Sequence, residues 1–170
     1  MIFPDFENMD VIDAIRLKYD PLAKLVRPYI TIVFPFELDL SNDEIALILE
    51  NRIGELSPFE VSFKGFSKCV NKFGNSLLLD MAEGREKVIQ LHDALYGNEF
   101  KILDSGLPYE PHITVGNLDT AEALENAYED VKEIDCCFTS LITKISVEMI
   151  GEHEESIIII EKQLEAQQMV

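Results

Sequence analysis

The residues best suited to chemistry lie in Pro111-His112-Ile113-Thr114-Val115-Gly116. An imidazole with an ordinary pKa of about 6.5 can take or give a proton near neutrality. A threonine hydroxyl can donate a hydrogen bond to an anionic oxygen. Polar and apolar residues alternate here as on a half-buried strand. His112 and Thr114 therefore share one face, and Ile113 and Val115 share the other. The same frame occurs 83 residues earlier, in Pro28-Tyr29-Ile30-Thr31-Ile32-Val33, with Tyr29 at the position of His112. A phenol with an ordinary pKa of about 10 stays protonated at neutral pH, so it is a donor and a poor base.

Both frames need elements to hold them. Each is followed by a turn and a helical pattern, and a separation of about half the chain suggests duplicated lobes rather than a solenoid. After the first frame, read as a strand from Tyr29 to Phe36, Ser41-Asn42-Asp43-Glu44 is a capping-box signature for a helix running to about Glu55. After the second, Asp119-Thr120 starts a helix to about Glu133. A further helix is expected over 6–17, broken by Asp20-Pro21, then a short helical piece over 22–26, and another helix over 84–96, ended by Gly97-Asn98. A clipped edge strand is expected at 1–4, further strands near 59–64, 76–81 and 135–141, and a hairpin from 144–150 and 157–160. Gly65 marks a bulge or a close backbone approach, and 165–170 should fray. Helices and antiparallel strands mixed without strict βαβ alternation predict an α+β fold.

The 170 residues suit one domain, 1–170, built from two intertwined lobes. The start carries no basic leader or signal-type apolar segment, and no apolar run is long enough to span a membrane, so a cytoplasmic protein is expected. Three cysteines (Cys69, Cys136, Cys137) without CxxC spacing argue against disulfides and structural zinc, and the adjacent pair is read as packing. The net charge of −18 should repel long nucleic acid, whose binding depends on basic contacts to phosphate. A small phosphate-bearing ligand in a local pocket fits better. The chain is expected to be a monomer.

The doubled frame, with the lead-in Arg16-Leu17-Lys18-Tyr19-Asp20-Pro21 before the first copy, resembles the 2H phosphoesterase superfamily. That family includes 2′-5′ RNA ligase-like proteins and cyclic nucleotide phosphodiesterases, and it carries two His-x-Thr/Ser motifs, one per lobe. His112-Ile113-Thr114-Val115 matches the second motif in full. At the first, Tyr29 replaces the family's histidine and Thr31 is kept. The resemblance implies two pseudo-symmetric lobes of antiparallel sheet, with flanking helices, around a central cleft. It implies hydrolysis or ligation of a small 2′,3′-cyclic-type nucleotide or RNA-end phosphodiester, without metal or other cofactor.

The residues expected to carry this are His112 as base, Tyr29 as weak acid or phosphate donor, and Thr31 and Thr114 as donors to phosphate oxygens. Arg27, directly before Pro28, is the first candidate for a substrate-binding cation; Lys64 and Lys68 are others. Tyr109 is the aromatic best placed to stack on a base, with Phe34, Phe36 and Phe66 more naturally in the core. His92 and His153 read as solvated. Each site residue also has a plain structural reading: a strand histidine, β-forming threonines, a packing tyrosine. The alternative function is a non-catalytic nucleotide- or phosphate-binding relative, or an interaction protein that keeps only the fold.

Overall fold

The computed structural model describes residues 1–37, 39–97, 100–101 and 108–165. In chain order these form α1 (Met9–Tyr19), α2 (Asn42–Ile53), β1 (Phe59–Asn71), β2 (Gly74–Glu83), α3 (Arg85–Tyr96), β3 (His112–Leu118), α4 (Ala121–Val131), β4 (Cys137–Ile142), β5 (Lys144–Ile150) and β6 (Ser156–Gln163). The fold is α+β, with antiparallel sheets, as expected. One sheet has the order β3-β2-β1-β4, and β5-β6 forms a second. Part of the expected connector after α3, residues 102–107, and the expected fraying at 166–170 lie outside the described residues.

Single bridges stitch the two sheets together. Ile2 pairs with Ile30, and Ile30 pairs with Ile113 of β3, both antiparallel. Next to Ile2, the Ser146 amide of β5 donates to the Met1 carbonyl at 3.0 Å. Pairing therefore runs from β6 through β5, residues 1–2 and residue 30 into β3 and the larger sheet. The expected strand over 29–36 is cut to the two bridges of Ile30. Pro28 and Pro35 have no N–H to give, and the Phe34 amide donates to the Tyr96 hydroxyl instead. Residues 1–4 are not an edge, because Ile2 lies between neighbours on both sides. The short helical piece expected over 22–26 is a set of turns, in which the Leu25 and Val26 amides both donate to the Leu22 carbonyl.

The helices cover the apolar faces. α1 packs on β3, and α4 packs on β1, β2 and β3. α2 packs on β6 and α3. The first helix starts later than the 6–17 expected, because the Phe6 ring is spent on the core, edge-on to Phe63 and Phe138. Gly116 permits the close seat of α1: a Cβ there would come 3.0 Å from the Cβ of Tyr19 and 3.2 Å from that of Leu77. The caps read from sequence are present. Ser41 and Glu44 form a reciprocal capping box on α2, and the Thr120 side chain accepts from the Ala123 amide on α4. Gly65, at φ +81°, lies in the register shift between Phe63 and Phe66 of β1, which is a bulge. None of the three cysteines is disulfide-bonded; Cys136 packs against the core, whereas Cys137 is exposed and does not act as the packing residue expected.

Candidate functional site

The Ile30–Ile113 bridge places the two similar frames side by side. Both isoleucines are fully buried (0% exposed), so the residues flanking them project from the opposite face. In an antiparallel pair, residues flanking a bridge oppose each other across it. Thr31 thus lies opposite His112, and Tyr29 lies opposite Thr114. All four are half-buried. Two imidazole- or hydroxyl-bearing residues from each of two distant segments therefore meet on one face.

Strand β2 extends that face. Leu78 pairs with Thr114 and Asp80 with His112, while Leu79 pairs with Ile113 on the buried side. The Ser67 hydroxyl of β1 donates to Asp80 Oδ1 at 2.6 Å. Partial burial pushes the Asp80 carboxyl above its usual range, against the Ser67 hydrogen bond and the nearby His112 ring. Asp80 and Ser67 have no signature in sequence, since their place at the site depends on strand register alone.

The tautomer of His112 follows from its partner. Its Nδ1 lies 2.7 Å from the Glu110 carbonyl oxygen, which can only accept. Nδ1 therefore carries the hydrogen, and in the neutral ring Nε2 is left with its lone pair as the basic atom. Glu110 and Arg85 of α3 form an ion pair at the rim. Arg85, the first residue of α3, is thus held by the side chain of Glu110, two residues before His112, and sequence reasoning did not single it out.

Tyr29 has different surroundings. Its ring meets Phe3 edge-on, with centroids 6.2 Å apart. Burial and the negative charges of Glu148 and Asp20 push its phenol pKa up, with Arg16 opposing. Its hydroxyl is therefore held protonated, a donor rather than a base. The lead-in before it is fixed by Arg16, only 1% exposed. Arg16 Nε donates to Asp20 Oδ2 at 2.9 Å, Nη1 donates to the Val26 carbonyl at 2.8 Å, and Asp20 Oδ1 accepts from the Leu22 amide at 3.0 Å. This explains why Arg16 and Asp20 flank the motif in sequence: they are four apart, at the end of α1, and lock the turn that delivers Tyr29.

The remaining candidates separate. Arg27 is exposed, pairs with Asp5 at 2.5 Å and lies over the ring of Phe3, the ring partner of Tyr29. Lys68 pairs with Glu125 and covers the Tyr128 ring of α4, on the helix side of the sheet, away from His112. Lys64 pairs with Asp135 beyond β1. Phe66 is in the core, as its plain reading had it, whereas Phe34 is 53% exposed. Tyr109 donates its hydroxyl to the Thr31 carbonyl at 2.6 Å and stacks on His92 with centroids 3.9 Å apart. His92 is not solvated as expected: its side chain is 13% exposed and lies between Tyr109 and Tyr96. His153 is exposed in the β5-β6 turn. Among the described residues, no group of three or more His, Cys, Asp or Glu is placed to hold a metal ion, and no helix is long and apolar enough to cross a membrane.

Known proteins share the fold of this chain. Over 98% of this chain and 97% of theirs, the coordinates resemble those of TT0787 from Thermus thermophilus, with a TM-score of 0.65 and 15% identity. Escherichia coli LigT complexed with 3′-AMP aligns over 96% of this chain and 94% of its own, with a TM-score of 0.59 and 16% identity. These likenesses concern the fold. In sequence, the chain is 31% identical over 120 residues to a provisionally named phosphoesterase of Bacillus licheniformis, covering 68% of this chain and 67% of that one. A Staphylococcus epidermidis protein, also provisionally named a phosphoesterase, is 27% identical over 163 residues and 94% of each chain. The family model described as the 2′-5′ RNA ligase superfamily matches residues 3–145, which include both frames. The chain belongs to the 2′-5′ RNA ligase superfamily, the 2H phosphoesterases.

Proposed function

We propose that this protein opens or forms a phosphodiester in a small 2′,3′-cyclic-type nucleotide or an RNA end, using His112, Thr114, Thr31 and Tyr29. The observation that carries the reading is the bridge that sets Thr31 opposite His112 and Tyr29 opposite Thr114. In the hydrolytic direction, His112 Nε2 takes a proton from water as the water oxygen attacks phosphorus. One phosphorus–ribose oxygen bond breaks, and the departing oxygen is protonated. The Thr31 and Thr114 hydroxyls donate to the non-bridging oxygens, which gain charge in the transition state.

Tyr29 would serve the leaving oxygen. A phenol held protonated by burial and nearby carboxylates is a weak acid and a sound hydrogen-bond donor. The reaction should therefore be slower than with an imidazole there, since a well-matched acid or base contributes on the order of 10²–10⁴ in rate. The net charge of −18 favours a compact substrate over long RNA. We place such a protein in the cytoplasm, as a monomer made of one two-lobed domain, with Arg27 near the substrate on the Tyr29 side.

The same hydroxyls could hold a phosphate without turning it over, and the Tyr29 phenol is the specific feature that favours this second reading. Release of phosphomonoester from 2′,3′-cyclic nucleotides decides between them. Turnover that rises with Tyr29→His and falls with His112→Ala supports catalysis. Thermal stabilisation by 3′-AMP with no turnover in the wild type or in Tyr29→His supports the binder. If Tyr29→His gains nothing and His112→Ala loses nothing, the catalytic assignment fails.

A further inference from the structure

The pairing between residues 29–31 and β3 is an isolated bridge, not a ladder. At Ile30, both backbone groups are spent on Ile2: its amide donates to the Ile2 carbonyl at 2.8 Å, and its carbonyl accepts from the Ile2 amide at 3.0 Å. Backbone groups alternate direction along an extended segment, so the Thr31 carbonyl points the other way, toward β3. There it accepts the Tyr109 hydroxyl at 2.6 Å. Tyr109 lies three residues before His112, so one short segment both carries the imidazole and grips Thr31.

The Tyr109 ring is itself held. It stacks on His92 at a 3.9 Å centroid distance and 5° between planes, and His92 stacks on Tyr96 at 4.2 Å and 18°. The Tyr96 hydroxyl accepts from the Phe34 amide at 3.2 Å. The three-ring stack thus touches the first-motif segment at both ends, at Thr31 and at Phe34. Burial pushes the Tyr109 phenol well above its usual pKa, so its hydroxyl remains a donor into alkaline solution.

We infer that Tyr109, backed by His92, is a positioning residue that sets the Thr31 hydroxyl against His112, where a longer ladder would otherwise do so. This departs from the sequence expectation that Tyr109 stacks on a substrate base: His92 covers a face of its ring, and its hydroxyl is engaged by Thr31. The kinetic consequence rests on the phosphoesterase reading, but the mechanical one does not.

Tyr109→Phe keeps the stack and removes the bond to Thr31. Amide hydrogen exchange over residues 30–34 should quicken by about threefold to tenfold, the worth of one neutral hydrogen bond, with β5 and β6 unchanged. On 2′,3′-cyclic nucleotides, kcat should fall by a similar factor while KM holds. His92→Ala should reproduce both effects, and His92→Phe, which restores an aromatic face, should reverse them. Unchanged exchange over 30–34 in Tyr109→Phe and His92→Ala would overturn the inference. So would a rise in KM at constant kcat, which is the signature of lost base stacking. Absence of turnover in the wild type would remove the phosphoesterase reading and leave the exchange result to decide this one.

Discussion

The two halves of the site have nearly the same sequence frame and are built in different ways. The His112 half lies in β3, laddered to β2 from Leu118 back to His112. The Tyr29 half makes one bridge on each side, to Ile2 and Ile113. What the backbone lacks there, side chains supply: Arg16 and Asp20 before the motif, Tyr109 and Tyr96 after it. A duplicated motif does not imply a duplicated support. The half that keeps the imidazole is fixed mainly by sheet hydrogen bonds, and the half that carries the phenol is fixed by clamps.

The largest difference should appear in turnover. His112→Ala removes the group whose Nε2 is free to accept a proton and should lower kcat on 2′,3′-cyclic nucleotides by about 10²–10⁴. Tyr29→Phe removes one hydroxyl held protonated and should cost much less, on the order of tenfold, about one hydrogen bond in the transition state. Equal losses at the two positions would show that the halves share the chemistry evenly, contrary to this comparison.

Next comes stability at the clamp. Arg16→Met leaves the Asp20 carboxylate buried without its partner, a change that typically costs about 3–5 kcal/mol. The melting temperature should fall by on the order of 10 °C. Adding Asp20→Leu should recover part of the loss, because an apolar pair replaces a buried lone charge. Among the described residues, no comparable buried pair precedes His112, where the exposed Arg85–Glu110 contact is of the kind that contributes at most about 1 kcal/mol. Arg85→Ala should therefore barely move the melting temperature.

The helices after each motif allow a smaller comparison. Ser41 both receives the Glu44 amide and is met by the Glu44 carboxylate, which is held below its usual pKa by the Ser41 backbone and hydroxyl. Thr120 makes only the single side-chain cap to Ala123. Each Ala substitution should cost about 1 kcal/mol in chemical denaturation. Ser41→Ala should be the worse, and should lose its extra cost in acid as Glu44 is protonated.

How much of this was legible beforehand follows from the range of the interactions. The strand frame of His112 and the capping box are set by neighbours in sequence and read directly, and of the two readings open for Gly65 the structure shows the bulge. The duplicated frame carried the expectation that the strands of Tyr29 and His112 meet at a shared cleft, and the family likeness agreed with it; alternation within either strand alone could not supply this. The strand over 29–36 was over-read because Thr and Ile favour strands whether or not a partner is present. Asp80 and Ser67 were missed because register across β1, β2 and β3 brings them in, and Arg85 because its ion pair with Glu110 joins α3 to the segment before β3. The Tyr109–His92–Tyr96 stack joins α3 to the segment before β3, so the burial of His92 could not be foreseen from a helix carrying Asp93 beside it.

The smallest expected effect concerns Asp80, which lies opposite His112 in the better-laddered half. Its carboxyl has a folded-state pKa raised by burial, so the folded protein holds this proton more tightly than the unfolded chain. Stability linked to this group is then present below the unfolded value of about 3.9 and is lost as pH rises through the folded value. Asp80→Asn retains an oxygen to accept the Ser67 hydroxyl and removes the charge. Its melting temperature should lie slightly above wild type at pH 7 and converge with it as the pH falls toward 3. A mutant less stable than wild type at pH 7 would mean that attraction to the His112 ring outweighs desolvation, and that the laddered half, like the other, depends on a charged side-chain clamp.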